Sequence, residues 1–331
     1  MNECQSILFS RNFCVREAGE HSCSANSSLT CRRFGDTLKM KKFMAEIKEF
    51  IKDASLLEAI SDPENRLIMV MGGADTGKTT LVESVVDFLS AHKEVGIVDL
   101  DMGQSHIGPP TTIAWGKAEG GFRDWASIRT EEFYFTGAFT PVGNLLPSVV
   151  GARLMTEGAL SSCGKVVVDT SGLIAESAGR VLKQQKIDAL CPDIILALER
   201  SGELGHILDS FRFHTRTKVN RLKVSDQATT KSMVKRSTYR LEKMAHHFRH
   251  ASIRKVPLDE AGIRFARSPS GVNRMELKNR IVSFRDKDNR DIALGIVRGI
   301  ESKDNLLSVL TPLGSERKIS AIVIGSLEID I

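Results

Sequence analysis

The chain has 331 residues, of which 41% are apolar and 26% charged, and a formal net charge of +5. This length and composition suit a globular protein of two or three domains and exclude a fibrous or low-complexity chain. No apolar run approaches the length of a membrane span, so a soluble, cytoplasmic protein is expected.

Residues 1–43 hold Cys4, Cys14, Cys23 and Cys31 among many Ser, Asn and Arg residues, without sustained periodicity. The cysteine gaps match no zinc spacing, and no apolar core of a secretory signal follows the N-terminus. A disordered extension is expected, or a start placed too early, with Met40 or Met44 as the true start. Cys163 and Cys191 read as ordinary buried thiols of a reducing compartment.

From Met44, "MAEIKEFIKDASLLEAI" predicts an amphipathic helix. "RLIMVM" (Arg66–Met71) then predicts a short buried strand, and "TTLVESVVDFLSAH" (Thr79–His92) a helix. Between them lies G-x-x-x-x-G-K-[ST] without a gap, formed by Gly72, Gly73, Ala74, Asp75, Thr76, Gly77, Lys78 and Thr79, with Thr80 following. Strand, glycine loop and helix in that order make a triphosphate cradle. Glycines let backbone N–H groups turn onto the phosphates, and the helix N-terminus adds partial positive charge. Lys78 is expected to reach the β- and γ-phosphates and Thr79 to ligate Mg²⁺. A nucleoside triphosphate and Mg²⁺ are the expected ligands.

Apolar runs then alternate with helical ones. The predicted strands are "EVGIVDLD", "EEFYFTG", "GKVVVDTSG", "PDIILALE" and "KVNRLKV". "VGNLLPSVVGARLMTEGAL" and "ESAGRVLKQQKIDAL" are predicted helices between them. The fold class expected is α/β: a parallel sheet with helices on both faces, whose ligands bind at the carboxyl ends of the strands. Two strands deliver acids there, Asp99 and Asp101 on one and Asp169 on the other. One acid suffices to hold Mg²⁺, which leaves a carboxylate to orient and deprotonate an attacking hydroxyl. For Asp99 a metal role and a turn-capping role stay open.

From Arg212 to Lys255 the chain carries 13 Lys and Arg against 2 Asp and Glu, so the rest of the molecule is net acidic. The second half reads as a helix that bears Lys235, Arg236, Arg240, Lys243 and Arg249, with Arg236 and Arg240 on one face. Such a block points to a polyanion partner, or to arginines that close over a transferring phosphoryl group. Lys235 and Lys243 are expected to contact such a polyanion. His246, His247 and His250 lack the H-E-x-x-H arrangement of a zinc site. Asn279–Asp330 predicts a small antiparallel β domain, and the turn-rich "ARSPSGVNRM" (Ala266–Met275) predicts the boundary. The domain division is therefore 44–265 and 272–331.

These residues resemble a known family, the polynucleotide 5′-hydroxyl kinases of RNA processing, over roughly Arg66–Ile331. The resemblance rests on the phosphate loop, "DLDMGQSHIGPP", "FTPVGN", "VVVDTSGL", "KRSTYR" and the tail "ALGIVRGIESKDNLLSVLTPL". It implies a phosphate-loop kinase fold and transfer of the γ-phosphoryl group of ATP to the 5′-hydroxyl of RNA, or of DNA. By the same resemblance Lys78 and Thr79 match the γ-phosphate and Mg²⁺ contacts, and Asp101 the carboxylate that positions the hydroxyl and acts as base. Arg236 and Arg240 match lid arginines. Gln104 matches a residue near the metal and acceptor, and Thr170 with Gly172 the loop that clasps substrate. Thr79, Asp99, Asp101 and Gln104 are thus the candidate metal ligands. Leu173 stands where the family usually has Trp, and Met244 where another lid arginine could fall.

Two other classes compete. One is a switch GTPase, for which "VVVDTSG" offers an Asp-x-x-Gly but the chain no Asn-Lys-x-Asp. The other is a catalytically silent RNA-binding relative that keeps nucleotide as a structural ligand.

Overall fold

The computed structural model describes residues 53–91, 93–226, 228–266, 277–301 and 303–330, all within one compact unit, Phe43–Ile331. The four N-terminal cysteines, the first half of the predicted lead-in helix and most of the predicted boundary segment lie outside them. The chain enters through α1 (Ala54–Ser61), capped by the Asp53 carboxylate, which accepts from the Ser55 amide at 2.9 Å.

The first sheet has seven strands. They are β1 (Leu67–Gly72), β2 (Val95–Asp99), β3 (Thr112–Ala118), β4 (Thr130–Phe135), β5 (Lys165–Asp169), β6 (Ile194–Glu199) and β7 (Lys218–Lys223), in the order β4-β3-β2-β5-β1-β6-β7. From β2 to β7 neighbours run parallel. The edge differs from expectation: "TIAWGKA" forms β3, antiparallel to both β2 and β4. Thr111, at positive φ just before β3, and the "SHIGPP" turn reverse the chain and insert this strand.

Helices α2 (Lys78–Ser90), α3 (Leu145–Ser162) and α4 (Glu176–Leu190) cover the sheet. Strands β1 and β2 are buried throughout, as their unbroken apolar runs require between two helical layers. One core lies against α1 and α2, the other against α3 and α4. Among the described residues no helix is long and apolar enough to cross a membrane. Of the two later cysteines, Cys163 is buried, but Cys191 is only half-buried and takes a left-handed conformation that ends α4.

After a short helix, α5 (Gly205–Leu208), and β7, the basic segment forms α6 (Met233–Phe248). The remaining strands are β8 (Ser252–Pro257), β9 (Gly262–Phe265), β10 (Arg280–Arg285), β11 (Asp291–Glu301), β12 (Leu306–Thr311) and β13 (Ala321–Glu328). They form a second sheet, β8-β12-β11-β10-β13-β9, antiparallel except for β9 against β13. Two of its strands thus precede Ala266.

The sheets are fastened together at β4. The Phe135 amide donates to Asp291 Oδ2 at 3.0 Å, and the Arg285 guanidinium donates to the same carboxylate at 3.0 and 3.1 Å while lying over the Tyr134 ring. Both charged residues are buried. Asp291→Ala would strand the Arg285 charge and the Phe135 amide, and is expected to cost about 3–5 kcal/mol of stability. Chemical denaturation checks this; a loss under about 1 kcal/mol would show that water enters the joint and pairs Arg285.

Candidate active site

The loop between β1 and α2 turns at Gly77, whose φ of 86° is costly for any residue with a side chain. Thr76 Oγ donates to Gly73 O at 3.0 Å, closing the loop on itself. Lys78 is buried, with its ammonium folded onto Gly73 O at 2.5 Å. Burial holds its pKa below the usual lysine value, against the pull of Asp169, Asp101 and Asp75. Thr79 Oγ donates to Asp169 Oδ2 at 3.0 Å.

Parallel pairing places Asp99 directly beside Asp169 in the neighbouring strand. Their environments differ. Asp169 Oδ1 is buried without a protein partner among the described residues. Asp99 is saturated: Oδ1 accepts from the Asp101 amide at 2.9 Å, and Oδ2 from the His106 and Ile107 amides at 2.5 and 3.2 Å. The expected metal role for Asp99 therefore meets a carboxylate already engaged in shaping its own loop. Burial, then the Asp101 charge, push Asp99 up to about 7. Burial and Asp99 push Asp169 to about 6. With its free oxygen and its bond to Thr79, Asp169 is the acid that fits a divalent cation beside the phosphate loop.

Asp101 leaves the strand end and is held by the Gly103 and Gln104 amides, both donating to Oδ1 at 3.0 Å. Oδ2 has no protein partner among the described residues. Gln104 keeps its side-chain oxygen, the atom that a cation would take, without a protein partner among the described residues. Its amide nitrogen donates to Gly103 O and, at 3.2 Å, to Arg236 O, which ties the loop to α6.

Helix α6 is where the lid was expected, and it lies over the phosphate loop. Arg236 pairs with Asp75 at 2.6 Å. Arg240 lies over the Phe139 ring, 5.2 Å from its centre. Tyr239 donates to Ser105 O at 2.9 Å and Lys243 to His106 O at 3.2 Å, whereas Lys235 is exposed. Met244 sits in a core with Phe248, Phe135, Ile281 and Val323. The position where another lid arginine could fall is thus an anchor into the second sheet.

The Asp169–Gly172 turn packs on the phosphate loop. A Cβ on Gly172 would stand 2.8 Å from the Ala74 backbone, so only glycine fits. Thr170 Oγ donates to Val70 O at 2.9 Å and accepts from Lys183 at 2.8 Å, which fixes the turn from within.

The site also holds two residues that the sequence reading missed, Lys183 and Lys186 of α4, both 0% exposed. Lys183 donates to Thr170 Oγ and, at 2.6 Å, to Ser171 O. Lys186 has no protein partner for its ammonium among the described residues. Their signal was two lysines three apart within the apolar stripe Leu182, Ile187, Leu190, where a solvated helix would carry none.

The arrangement brings together a glycine loop at a helix N-terminus, an acid with an unpartnered oxygen beside Thr79, a second carboxylate held through one oxygen and two arginines of α6. That is the equipment for moving a phosphoryl group.

Comparison with known proteins agrees. The chain's residues 72–250 match the family model of the mRNA cleavage and polyadenylation factor CLP1 P-loop. A polyribonucleotide 5′-hydroxyl-kinase of Methanocaldococcus jannaschii is 29% identical over 328 residues, covering 83% of this chain and 90% of that one. One from Pyrococcus furiosus is 37% identical over 193 residues, 58% of this chain and 53% of that protein. The structure of the wild-type Clp1p–Pcf11p complex contains a chain that superposes with a TM-score of 0.62 at 13% identity, over 80% of this chain and 74% of that one. The chain belongs to the CLP1 P-loop family.

Proposed function

We propose that this protein is an ATP- and Mg²⁺-dependent polynucleotide 5′-hydroxyl kinase with RNA as acceptor. The reading is carried by Asp101, a carboxylate with one oxygen fixed by two amides and the other free, beside a triphosphate cradle. The names of the archaeal relatives support the acceptor. The domain division at 44–265 and 272–331 remains part of this proposal, with β8 and β9 contributed across it to the second sheet.

Thr79 and Asp169 would hold Mg²⁺, which when bound neutralises charge on the phosphate oxygens. Lys78 unfolds from Gly73 O onto the β- and γ-phosphates. Asp101 accepts the proton of the 5′-hydroxyl as that oxygen bonds to the γ-phosphorus and the bond to the β-phosphate oxygen breaks, leaving ADP. Arg236, within reach of the phosphate loop through Asp75, stabilises the transferring group, with Arg240 behind it. Lys183 keeps the Thr170–Gly172 turn in shape against that loop.

Purified protein with labelled ATP, Mg²⁺ and 5′-hydroxyl RNA or DNA oligonucleotides is expected to label the 5′ end. Lys78→Ala is expected to abolish labelling. Asp101→Asn is expected to lower kcat by about 10²-fold or more with ATP affinity retained, the scale of general-base catalysis. Loss of ATP binding in that variant would instead give Asp101 to the cation.

Lys186 yields a prediction on stability. Burial lowers its pKa from 10.5 to about 8, against the attraction of Asp101 and Asp99. At pH 7 the folded protein therefore carries a charge that folding disfavours, and Lys186→Met is expected to raise the melting temperature. A lowered folded-state pKa means that the unfolded chain binds more protons between about pH 8 and 10.5, so wild-type stability rises across that window and the variant's advantage shrinks. A variant that melts lower at pH 7 would show that the ammonium has a compensating partner.

A further inference from the structure

Phosphoryl transfer engages only the second half of the basic segment. The first half, "RFHTRTKVNRLK" (Arg212–Lys223), carries Arg212, Arg216, Lys218, Arg221 and Lys223 and no Asp or Glu. It forms the loop 212–217 and strand β7, at the edge of the first sheet. Arg221 is neutralised by Glu199 at 2.9 Å and Asp209 at 2.8 Å. Asp193, whose carbonyl accepts from the Lys218 amide, has its carboxylate on the Leu67 amide at 2.9 Å. Arg212, Arg216, Lys218 and Lys223 are exposed, without a carboxylate partner among the described residues.

Phe213 stands among these cations. Its ring is 84% exposed, and the Arg212 guanidinium lies 4.7 Å from its centre. It joins neither core of the first sheet. The patch also lies away from the phosphate loop. Arg200, just past the head of β6, donates to Asp75 O at 2.9 Å, whereas Lys218 pairs with Ile194 at the foot of that strand. A strand of 6 residues puts about 20 Å between head and foot.

Two readings compete. Lys and Arg on an edge strand bar other strands from pairing with it. That guard needs no aromatic ring, and an exposed Phe works against it. A bare ring among unpaired cations instead suits single-stranded nucleic acid, in which a base stacks on the ring while phosphates meet positive charge. A duplex offers the charge but no free base face.

We propose that loop 212–217 and the β7 edge form a second nucleic-acid surface, which grips the body of a long single strand far from its 5′ end. Calling that strand the acceptor rests on the kinase reading; the surface itself does not.

The test is anisotropy of 3′-fluorescein-labelled, unstructured 5′-hydroxyl RNAs of about five and about thirty nucleotides across a salt series, beside their phosphorylation by ATP. Phe213→Ser is expected to weaken binding of the long RNA about 10-fold, the scale of one stacked base. Arg212→Gln/Arg216→Gln/Lys218→Gln is expected to flatten its salt slope by about 2, at roughly 0.7 per phosphate contact. Both variants are expected to keep wild-type binding and kcat with the short RNA, and Phe213→Ser to bind a duplex as the wild type does. Wild-type affinity and slope for the long RNA in both variants would overturn the proposal. So would equal losses for short and long RNA, or losses that appear only with self-association in gel filtration, the mark of a guarded edge. If the long RNA depends on Phe213 but neither RNA is phosphorylated, the kinase reading falls and the surface stands. If both are phosphorylated and binding ignores the variants, the surface falls and the kinase reading stands.

Discussion

Three backbone N–H groups converge on the buried carboxylate of Asp99, and the working arrangement hangs from that convergence. A buried carboxylate is tolerable only when donors surround it. Meeting that demand forces residues 101–107 into one compact loop. The loop aims Asp101 at the phosphate cradle, exposes the Ser105 and His106 carbonyls to Tyr239 and Lys243, and sets Gln104 against the Arg236 carbonyl. One acid thus fixes the proposed base and the surface that meets α6.

The lid is held at its other end as well. Met244 and Phe248 are buried with β-domain residues, and the Arg285–Asp291 pair joins that domain to β4. The C-terminal half of α6 is therefore packed into the second sheet, while Arg236 in its first half meets the phosphate loop through a polar contact. Lid movement, where it occurs, is confined by this packing to the first turns of the helix. The second sheet acts by supplying the lid's fixed end.

Much of this was legible in the sequence because its signals are local. The phosphate loop needs a contiguous glycine pattern between a strand and a helix, and Asp101 follows an apolar run that ends in acids. What was missed depends on burial and pairing across the chain. Strand β3 holds Gly116 and Lys117 amid its apolar residues and is defined by its partners β2 and β4. The choice between Asp99 and Asp169 could not be made from spacing, since both end apolar strands; only the count of donors around each separates them. Lys183 and Lys186 carry no local signal of their own and are marked only by lying on the buried face of their helix. Met244 seemed a missing arginine because a lid's polar face and its anchor share one helix.

The central claim is that Asp101, rather than Asp99 or Asp169, faces the acceptor hydroxyl. A crystal structure with a non-hydrolysable ATP analogue, Mg²⁺ and a short 5′-hydroxyl RNA tests it most directly. The account predicts the 5′ oxygen within hydrogen-bond distance of the free Asp101 oxygen, with Asp169 and Thr79 at the cation and Asp99 still bound by its three amides. A 5′ oxygen on Asp169, or an Asp99 released from its loop to ligate the cation, would contradict it.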